Sequence, residues 1–442
     1  MRLTIESMAY GADAVSHDEG GKAVFVAGGV PGDVVEASVT SEGRSFSRAT
    51  VTEVLQPSEA RVASRCPYAG VCGGCPWSVM TYEAQLAAKR KNVRDALMRI
   101  GRFSEDEVDG LLQDIVPSDE QWGYRNKVEL AVIPAAGGRG IVLGMHERDG
   151  KGVVPIDRCL LLGASAQRVP KAVSGALRFM GSSRELGMER VGIRSSERTG
   201  SLEVALWTDP EAFPRNEVAK VITDAAHPTS IARVLVKEGG AARKVSRVER
   251  LAGRGVWTER IAGGRMTLSA PSFFQVNTAG AERLVSLVMD ALQPGEDDVV
   301  CDLYCGAGTF TLPLAKACPA VIAVESYGPA VRDLKANVER RGLQDSVECI
   351  GDDAARVLDL LEDATKVVVD PPRAGLDPSV VHALGESDVE QVAYVSCDPA
   401  TLARDLALFV ADGRLAPVSA TPVDLFPQTF HVETVVHLAR RR

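Results

Sequence analysis

The 442-residue chain has no apolar run near the roughly 18 residues that a membrane span requires. Its first residues, MRLTIESMAYG, alternate charge and polarity where a secretory leader would need an apolar core. Internal repeats and low-complexity tracts are also missing. These absences exclude membrane-spanning and fibrous classes and set the expectation of a cytoplasmic globular protein. Cysteines are few, nine at irregular spacing. In a reducing compartment they are expected as ligands, nucleophiles or core fillers rather than a disulfide framework. With 45% hydrophobic and 25% charged residues the composition is that of a folded protein, too long for one ordinary core.

The net charge of −9 argues at first against a polyanionic partner. The average hides a division. Residues 1–58 carry 4 Lys and Arg against 8 Asp and Glu, residues 59–265 carry 32 against 25, and residues 266–442 carry 14 against 26. A basic middle between acidic ends fits a nucleic-acid surface confined to one part of the chain. Arg125 and Lys127, in YRNKVEL, are its candidate contacts.

Residues 1–58 hold four strand-like stretches, MRLTIESM, AVFVAGGV, DVVEASVT and RATVTEVL, broken by glycine-rich turns. Such spacing predicts a small β-barrel, closed by the Gln56-Pro57-Ser58 linker. Leu86, Val93, Leu97 and Ile100 recur at helical spacing further on. From about Ser269 the texture becomes strand and helix in alternation, the pattern of a parallel doubly wound sheet. Such a sheet keeps its chemistry at the carboxyl ends of its strands. The expected fold class is therefore α/β, with segments at 1–58, 59–265 and 266–442.

Asp302-Leu303-Tyr304-Cys305-Gly306-Ala307-Gly308 follows the first strand of that alternation, and Glu325 ends the second. The glycines permit a tight turn beside a ligand, and an acid at that place can accept from two ribose hydroxyls. Thr311 stands where a dinucleotide fingerprint expects a third glycine, so a nucleoside ligand without phosphates fits best. S-adenosylmethionine is such a ligand. Asp370-Pro371-Pro372-Arg373 ends the fourth strand with an arginine where amine methyltransferases carry an aromatic residue. Cys397 waits one strand later, which favours carbon as the methyl acceptor.

Carbon 5 of uracil is too weak a nucleophile to take a methyl group unaided. A thiolate added to carbon 6 makes it an enolate, and a base must afterwards remove the carbon 5 proton. Cys397, in VSCDPATLARD, is the candidate thiol, with its thiolate favoured by the amide ends of the helix starting near Pro399. Glu433, in FPQTFHVET, is the candidate base, its pKa raised in a partly desolvated loop.

Cys66, Cys72 and Cys75 form a C-x5-C-x2-C loop, and Cys159 follows 84 positions later. Four thiolates could hold zinc or an iron–sulfur cluster, and the lack of two C-x2–4-C knuckles favours iron–sulfur. Cys301, Cys305, Cys318 and Cys349 are expected in the core.

DLYCGAGTFTLPLA, VVVDPPRAGLDPSVV, YVSCDPATLARDL and DLFPQTFHVETVV together resemble the motifs of the bacterial RNA uracil-5-methyltransferases. The likeness is strongest to the branch that carries an iron–sulfur cluster and an N-terminal TRAM domain and modifies 23S ribosomal RNA. The resemblance implies a Rossmann-like class I methyltransferase domain, an OB-like TRAM barrel over 1–58 and an α+β central domain with a cluster loop. It implies Cys397 as nucleophile and Glu433 as base. It also implies Gln275, Tyr304, Glu325, Asp353 and Asp370 as S-adenosylmethionine contacts, and a [4Fe–4S] cluster on Cys66, Cys72, Cys75 and Cys159. The implied partner is 23S rRNA, with the T-loop uridine of tRNA as the alternative. A non-catalytic Fe–S RNA-binding or folding factor is the rival from another class. A cytosine-5 enzyme is disfavoured, because DPPR stands where those enzymes keep a second cysteine. Thr309 replaces a frequent family Asn, and Phe430 a frequent Gly.

Overall fold

The structure, a computed structural model, describes residues 1–135, 140–237 and 244–441. The chain forms two compact units, Met1–Gln121 with Asp370–Arg442, and Trp122–Val369. These units cut the chain elsewhere than the three expected segments do: residues 59–121 fall in one and residues 122–265 in the other.

The first unit opens with six strands, β1 (Arg2–Thr4), β2 (Ser7–Met8), β3 (Ala14–His17), β4 (Ala23–Ala27), β5 (Val34–Glu42) and β6 (Phe46–Gln56). They form one sheet in the order β1-β5-β6-β4-β3-β2. Alternation buries Val24 and Val26 of β4, and Val35 and Ala37 of β5, around a core that also takes in Trp77, Met80 and Ala88. Six strands stand where four are expected. MRLTIESM breaks into two strands, and AVSH, between turns, is too short to show a period. Helix α1 (Tyr82–Arg99) starts where Thr81 accepts from the Ala84 N–H; of the expected apolar positions Val93 and Leu97 are buried, Leu86 is half-buried and Ile100 is exposed just past the helix end, while Gln85, Lys89 and Asn92 share the buried face. The short α2 (Glu105–Leu111) begins with a capping box between Ser104 and Glu107.

The second unit contains β7 (Lys127–Pro134), β8 (Ile141–His146), β9 (Val153–Val154), α3 (Val169–Gly181), β10 (Met188–Ser195) and β11 (Leu202–Thr208). It continues with α4 (Arg215–Ala226), β12 (Ser230–Lys237) and β13 (Lys244–Gly253). The seven strands form a sheet in the order β13-β12-β11-β10-β7-β8-β9. After the hairpin β14 (Trp257–Ile261) and β15 (Gly264–Leu268), Asn277 caps α5 (Thr278–Leu292). Next come β16 (Val299–Leu303), α6 (Thr311–Leu314), β17 (Ala320–Val324), α7 (Gly328–Arg340), β18 (Val347–Ile350) and β19 (Lys366–Val369). Within this unit these four strands are parallel, with β17 between β18 and β16 and β19 on the other side of β16. The apolar runs of β17 and β19 suit burial on both faces, whereas the edge strand β18 buries only Val347.

The chain then re-enters the first unit as α8 (Pro378–Glu386), β20 (Gln391–Ser396), α9 (Pro399–Asp412), β21 (Leu415–Val423) and β22 (Glu433–Arg440). Here β22 lies antiparallel between β20 and β21. Among the described residues no helix is long and apolar enough to cross a membrane.

Candidate active site

The expected site residues divide between the units. Gln275, Tyr304, Glu325, Asp353 and Cys159 belong to the second; Cys66, Cys72, Cys75, Asp370, Cys397 and Glu433 belong to the first.

In the second unit the turn after β16 is built for close approach. Tyr304 holds a left-handed φ of 64°, a strained conformation for a side-chain-bearing residue, and Gly306 follows at 58°. A Cβ at Gly306 would meet open space, so the bare backbone there leaves room for a ligand, whereas Gly308 abuts Leu334 and Leu312. Glu325, just past β17, accepts from the Gly306 N–H at 3.0 Å and the Tyr327 N–H at 2.6 Å. The acid expected to meet ribose hydroxyls is thus fixed by the glycine turn itself. Thr311 donates at 2.6 Å to the buried Asp302, whose carboxyl burial pushes up to about 7. The place of the missing third glycine therefore serves as an anchor beneath the turn. Gln275 is buried, and its carbonyl accepts from the Asn126 side chain at 2.9 Å. Asp353 caps a 3-10 turn by accepting from the Ala355 N–H at 3.0 Å.

In the first unit, strand register builds the pair of expected catalytic groups. Ser396 of β20 lies opposite Thr434 of β22. Cys397 follows the one and Glu433 precedes the other, so an antiparallel pairing sets them at the same end. Glu433 is 2% exposed, and its Oε2 is buried with no hydrogen-bond partner among the described residues. Burial, with Asp370 adding and Arg373 opposing, pushes its carboxyl up to about 8. The expectation of a partly desolvated loop acid is exceeded: Glu433 is the first residue of a strand and fully desolvated.

The Cys397 thiol does not match its expectation. Burial first, then Glu433 and Asp370, push it up to about 12, while Arg373 pulls it down. The helix start at Pro399 is present, but Asp398 Oδ1 takes the Ala400 and Thr401 N–H groups at 2.9 and 3.1 Å. Those amide ends are engaged by a carboxylate. The cation that favours the thiolate is instead the exposed Arg373 of DPPR.

Two participants carried no sequence signal of a role here. Tyr10, from the segment after β2, donates its hydroxyl to the Cys397 carbonyl at 2.9 Å. Its ring meets Phe430 edge-on at 5.6 Å, and Phe430 packs on His431 at 4.1 Å. Arg373 was visible only as a departure from an amine-site motif.

Cys66, Cys72 and Cys75 are thiols on a half-buried loop of turns, where the Gly74 N–H donates to Cys72 Sγ at 3.4 Å. Among the described residues no three or more His, Cys, Asp or Glu side chains are grouped so as to hold a metal ion. Cys301, Cys305 and Cys318 are buried and Cys349 half-buried, and burial raises all four thiols, as core positions should. Lys127, expected on an RNA surface, pairs with Glu129 at 2.7 Å with its ammonium near the Trp207 ring, and burial lowers its pKa. On the N-terminal sheet, Arg48 lies by the Phe25 and Phe46 rings and pairs with Asp13 at 2.8 Å.

Residues 260–351 and 356–441 match the sequence profile of the tRNA (uracil-5-)-methyltransferases. An uncharacterized RNA methyltransferase of Gloeobacter violaceus is 33% identical over 99% of this chain and 96% of its own. The 23S rRNA (uracil(1939)-C(5))-methyltransferase of Stenotrophomonas maltophilia is 31% identical over 96% of this chain and 93% of its own. The Pyrococcus abyssi tRNA (uracil-54, C5)-methyltransferase in complex with S-adenosyl-L-homocysteine superposes with a TM-score of 0.76 at 25% identity, over 99% of this chain and 100% of that one. The mixed α/β methyltransferase fold and the full-length likeness agree: the chain belongs to the tRNA (uracil-5-)-methyltransferase family and is an S-adenosylmethionine-dependent RNA uracil-C5 methyltransferase.

Proposed function

We propose that the enzyme methylates a uridine of 23S rRNA through a covalent link between Cys397 and carbon 6 of the base. Bound S-adenosylmethionine supplies an electrophilic methyl on a sulfonium. The Cys397 thiolate, favoured by Arg373, adds to carbon 6; the electron pair moves to carbon 5, which takes the methyl as the sulfonium–methyl bond breaks and S-adenosylhomocysteine leaves. Glu433 as carboxylate then removes the carbon 5 proton, the carbon–sulfur bond breaks, and the thiolate returns. The observation that carries this reading is the buried carboxyl of Glu433, raised to about 8, across the β20–β22 register from Cys397. A base of that pKa is protonated and deprotonated near neutral pH, as a group that must gain and lose a proton each cycle requires.

Gln275, Tyr304, Glu325, Asp353 and Asp370 are the proposed donor contacts. Cys66, Cys72, Cys75 and Cys159 are the proposed ligands of a [4Fe–4S] cluster. The support is the all-thiolate donor chemistry, with an amide hydrogen bond to Cys72 Sγ; among the described residues the thiols are not drawn together as a metal site. The reaction moves no electron, so the cluster's place is structural. The six-stranded sheet is proposed as a TRAM-like RNA-binding barrel, with Arg48, Phe46 and Phe25 on its RNA face. The three-part division at 1–58, 59–265 and 266–442 and a cytoplasmic setting belong to the same reading.

The 23S target rests on the Stenotrophomonas relative, and the T-loop uridine of tRNA on the Pyrococcus structure. Mapping 5-methyluridine in rRNA and tRNA from a deletion strain decides between them. Loss of one or more 23S sites with the tRNA unchanged is the expected result; loss confined to tRNA would reverse the assignment.

A further inference from the structure

Nine residues, 424–432, separate β21 from β22, and the base sits at the end of them. The register with Val423 fixes the backbone of Glu433, while a loop of that length leading into it would ordinarily be mobile. Here it is gripped from one side by helix α1. Lys89, fully buried, reaches Asp424 Oδ1 at 2.5 Å and the Phe426 carbonyl at 3.0 Å. Asp424 directly follows Val423, which lies opposite Glu433 in the strand register. One turn earlier on α1, Gln85 Oε1 accepts from the Gln428 N–H at 2.8 Å, and its Nε2 lies 3.1 Å from Gln428 Oε1. The same Nε2 approaches the Trp77 and Met80 carbonyls at 3.2 and 3.1 Å. The Trp77 N–H in turn donates to the Gln428 carbonyl at 3.1 Å. Gln428 itself sits at a left-handed φ of 72°, a conformation that a non-glycine residue keeps only when its surroundings hold it.

We propose that Gln85 and Lys89 are positioning residues for the general base: they clamp the 424–428 segment so that the carboxylate of Glu433 meets the carbon 5 proton. No hydrogen bond fixes Glu433 Oε2 among the described residues. A buried lysine–carboxylate pair is also a poor source of stability compared with apolar residues of the same size. A charge pair at this place is better accounted for by a fixed geometry than by stability. Such a clamp bears on proton removal before thiolate addition, because its hydrogen bonds go to Asp424, Phe426 and Gln428 and not to Cys397, which stands between β20 and α9.

The proposal rests on the covalent reading, and the two can fail separately. RNA carrying 5-fluorouridine at the target stops after methyl transfer, since fluorine cannot leave as a proton does. Trapping therefore reports Cys397 and the donor, and turnover on uridine RNA reports the base as well. Gln85→Met should trap at a rate within about twofold of wild type while turnover falls by about tenfold or more. The pH dependence of adduct release on uridine RNA should change with it. The double variant Lys89→Met with Asp424→Met, which removes both buried charges together, should show the same split and provides the test if Gln85→Met does not fold. Equal losses of trapping and turnover in a folded variant, or no loss of either, would overturn the clamp. A wild-type enzyme that traps no adduct would overturn the covalent reading instead.

Discussion

Two carboxylates at strand ends behave in opposite ways. Glu325, in the second unit, has one oxygen engaged by the Tyr327 N–H of its own turn and the other by the Gly306 N–H of the glycine turn after β16. Glu433, in the first, is buried, with one oxygen unmatched and its pKa raised to about 8. An acid meant to bind is held by amides, which favour the charge and fix its place. An acid meant to accept a proton is stripped of water and partners, so that protonation costs it little. The comparison teaches how differently two motif carboxylates are satisfied, which supports the binding role proposed for Glu325 and the proton-transfer role proposed for Glu433.

The sharpest way to break the comparison is at the group Glu433 serves. Cys397→Ala should abolish turnover to background and trap no 5-fluorouridine adduct, while both ligands still bind; an activity assay and a gel of the trapped complex read this directly. Glu433→Gln should lower turnover by about a hundredfold to ten-thousandfold, the usual range for a lost general base. It should also alter stability with a definite sign. The folded-state pKa of Glu433 lies above the ordinary 4.5, so its stabilising contribution is complete below that value and is lost as pH rises through about 8. Glu433→Gln should therefore gain on wild type in thermal melts above pH 8, by on the order of a few kcal/mol, and not near pH 4.

Glu325→Gln keeps one acceptor oxygen and loses the charge. The donor's KM should rise by about tenfold with kcat little changed at saturation, the mark of a binding group. Arg373→Met should have the smallest effect. Without the cation the thiol rises further, so trapping at neutral pH should slow severalfold and its pH profile should move upward.

Much of the candidate site could be named because it is local. Cys397 and Glu433 sit in short stretches whose chemistry can be read residue by residue, and the strand–helix alternation after Ser269 pointed to the glycine turn after β16. What escaped lies far apart in sequence. Tyr10 and Cys397 are 387 positions apart, and Lys89 and Asp424 are 335 apart, so no window contains either pair. The thiolate argument failed for a local reason. The helix start was identified, but Asp398 also reads as a cap, and its carboxylate takes the amides expected to act on the thiol. The surroundings of Lys127 were not legible either: β7 carries it beside Glu129 and Trp207, which its position in YRNKVEL does not announce. In the N-terminal sheet, β3 escaped because four residues between turns give no periodic signal.

The central claim is that Glu433 releases an enzyme held to its RNA by Cys397. Intact mass spectrometry of Glu433→Gln mixed with S-adenosylmethionine and natural uridine RNA tests it most directly. The account predicts one species containing protein, RNA and one added methyl group, with Cys397 as the modified residue after digestion. Free RNA fully methylated at the normal rate, with no covalent species, would contradict it.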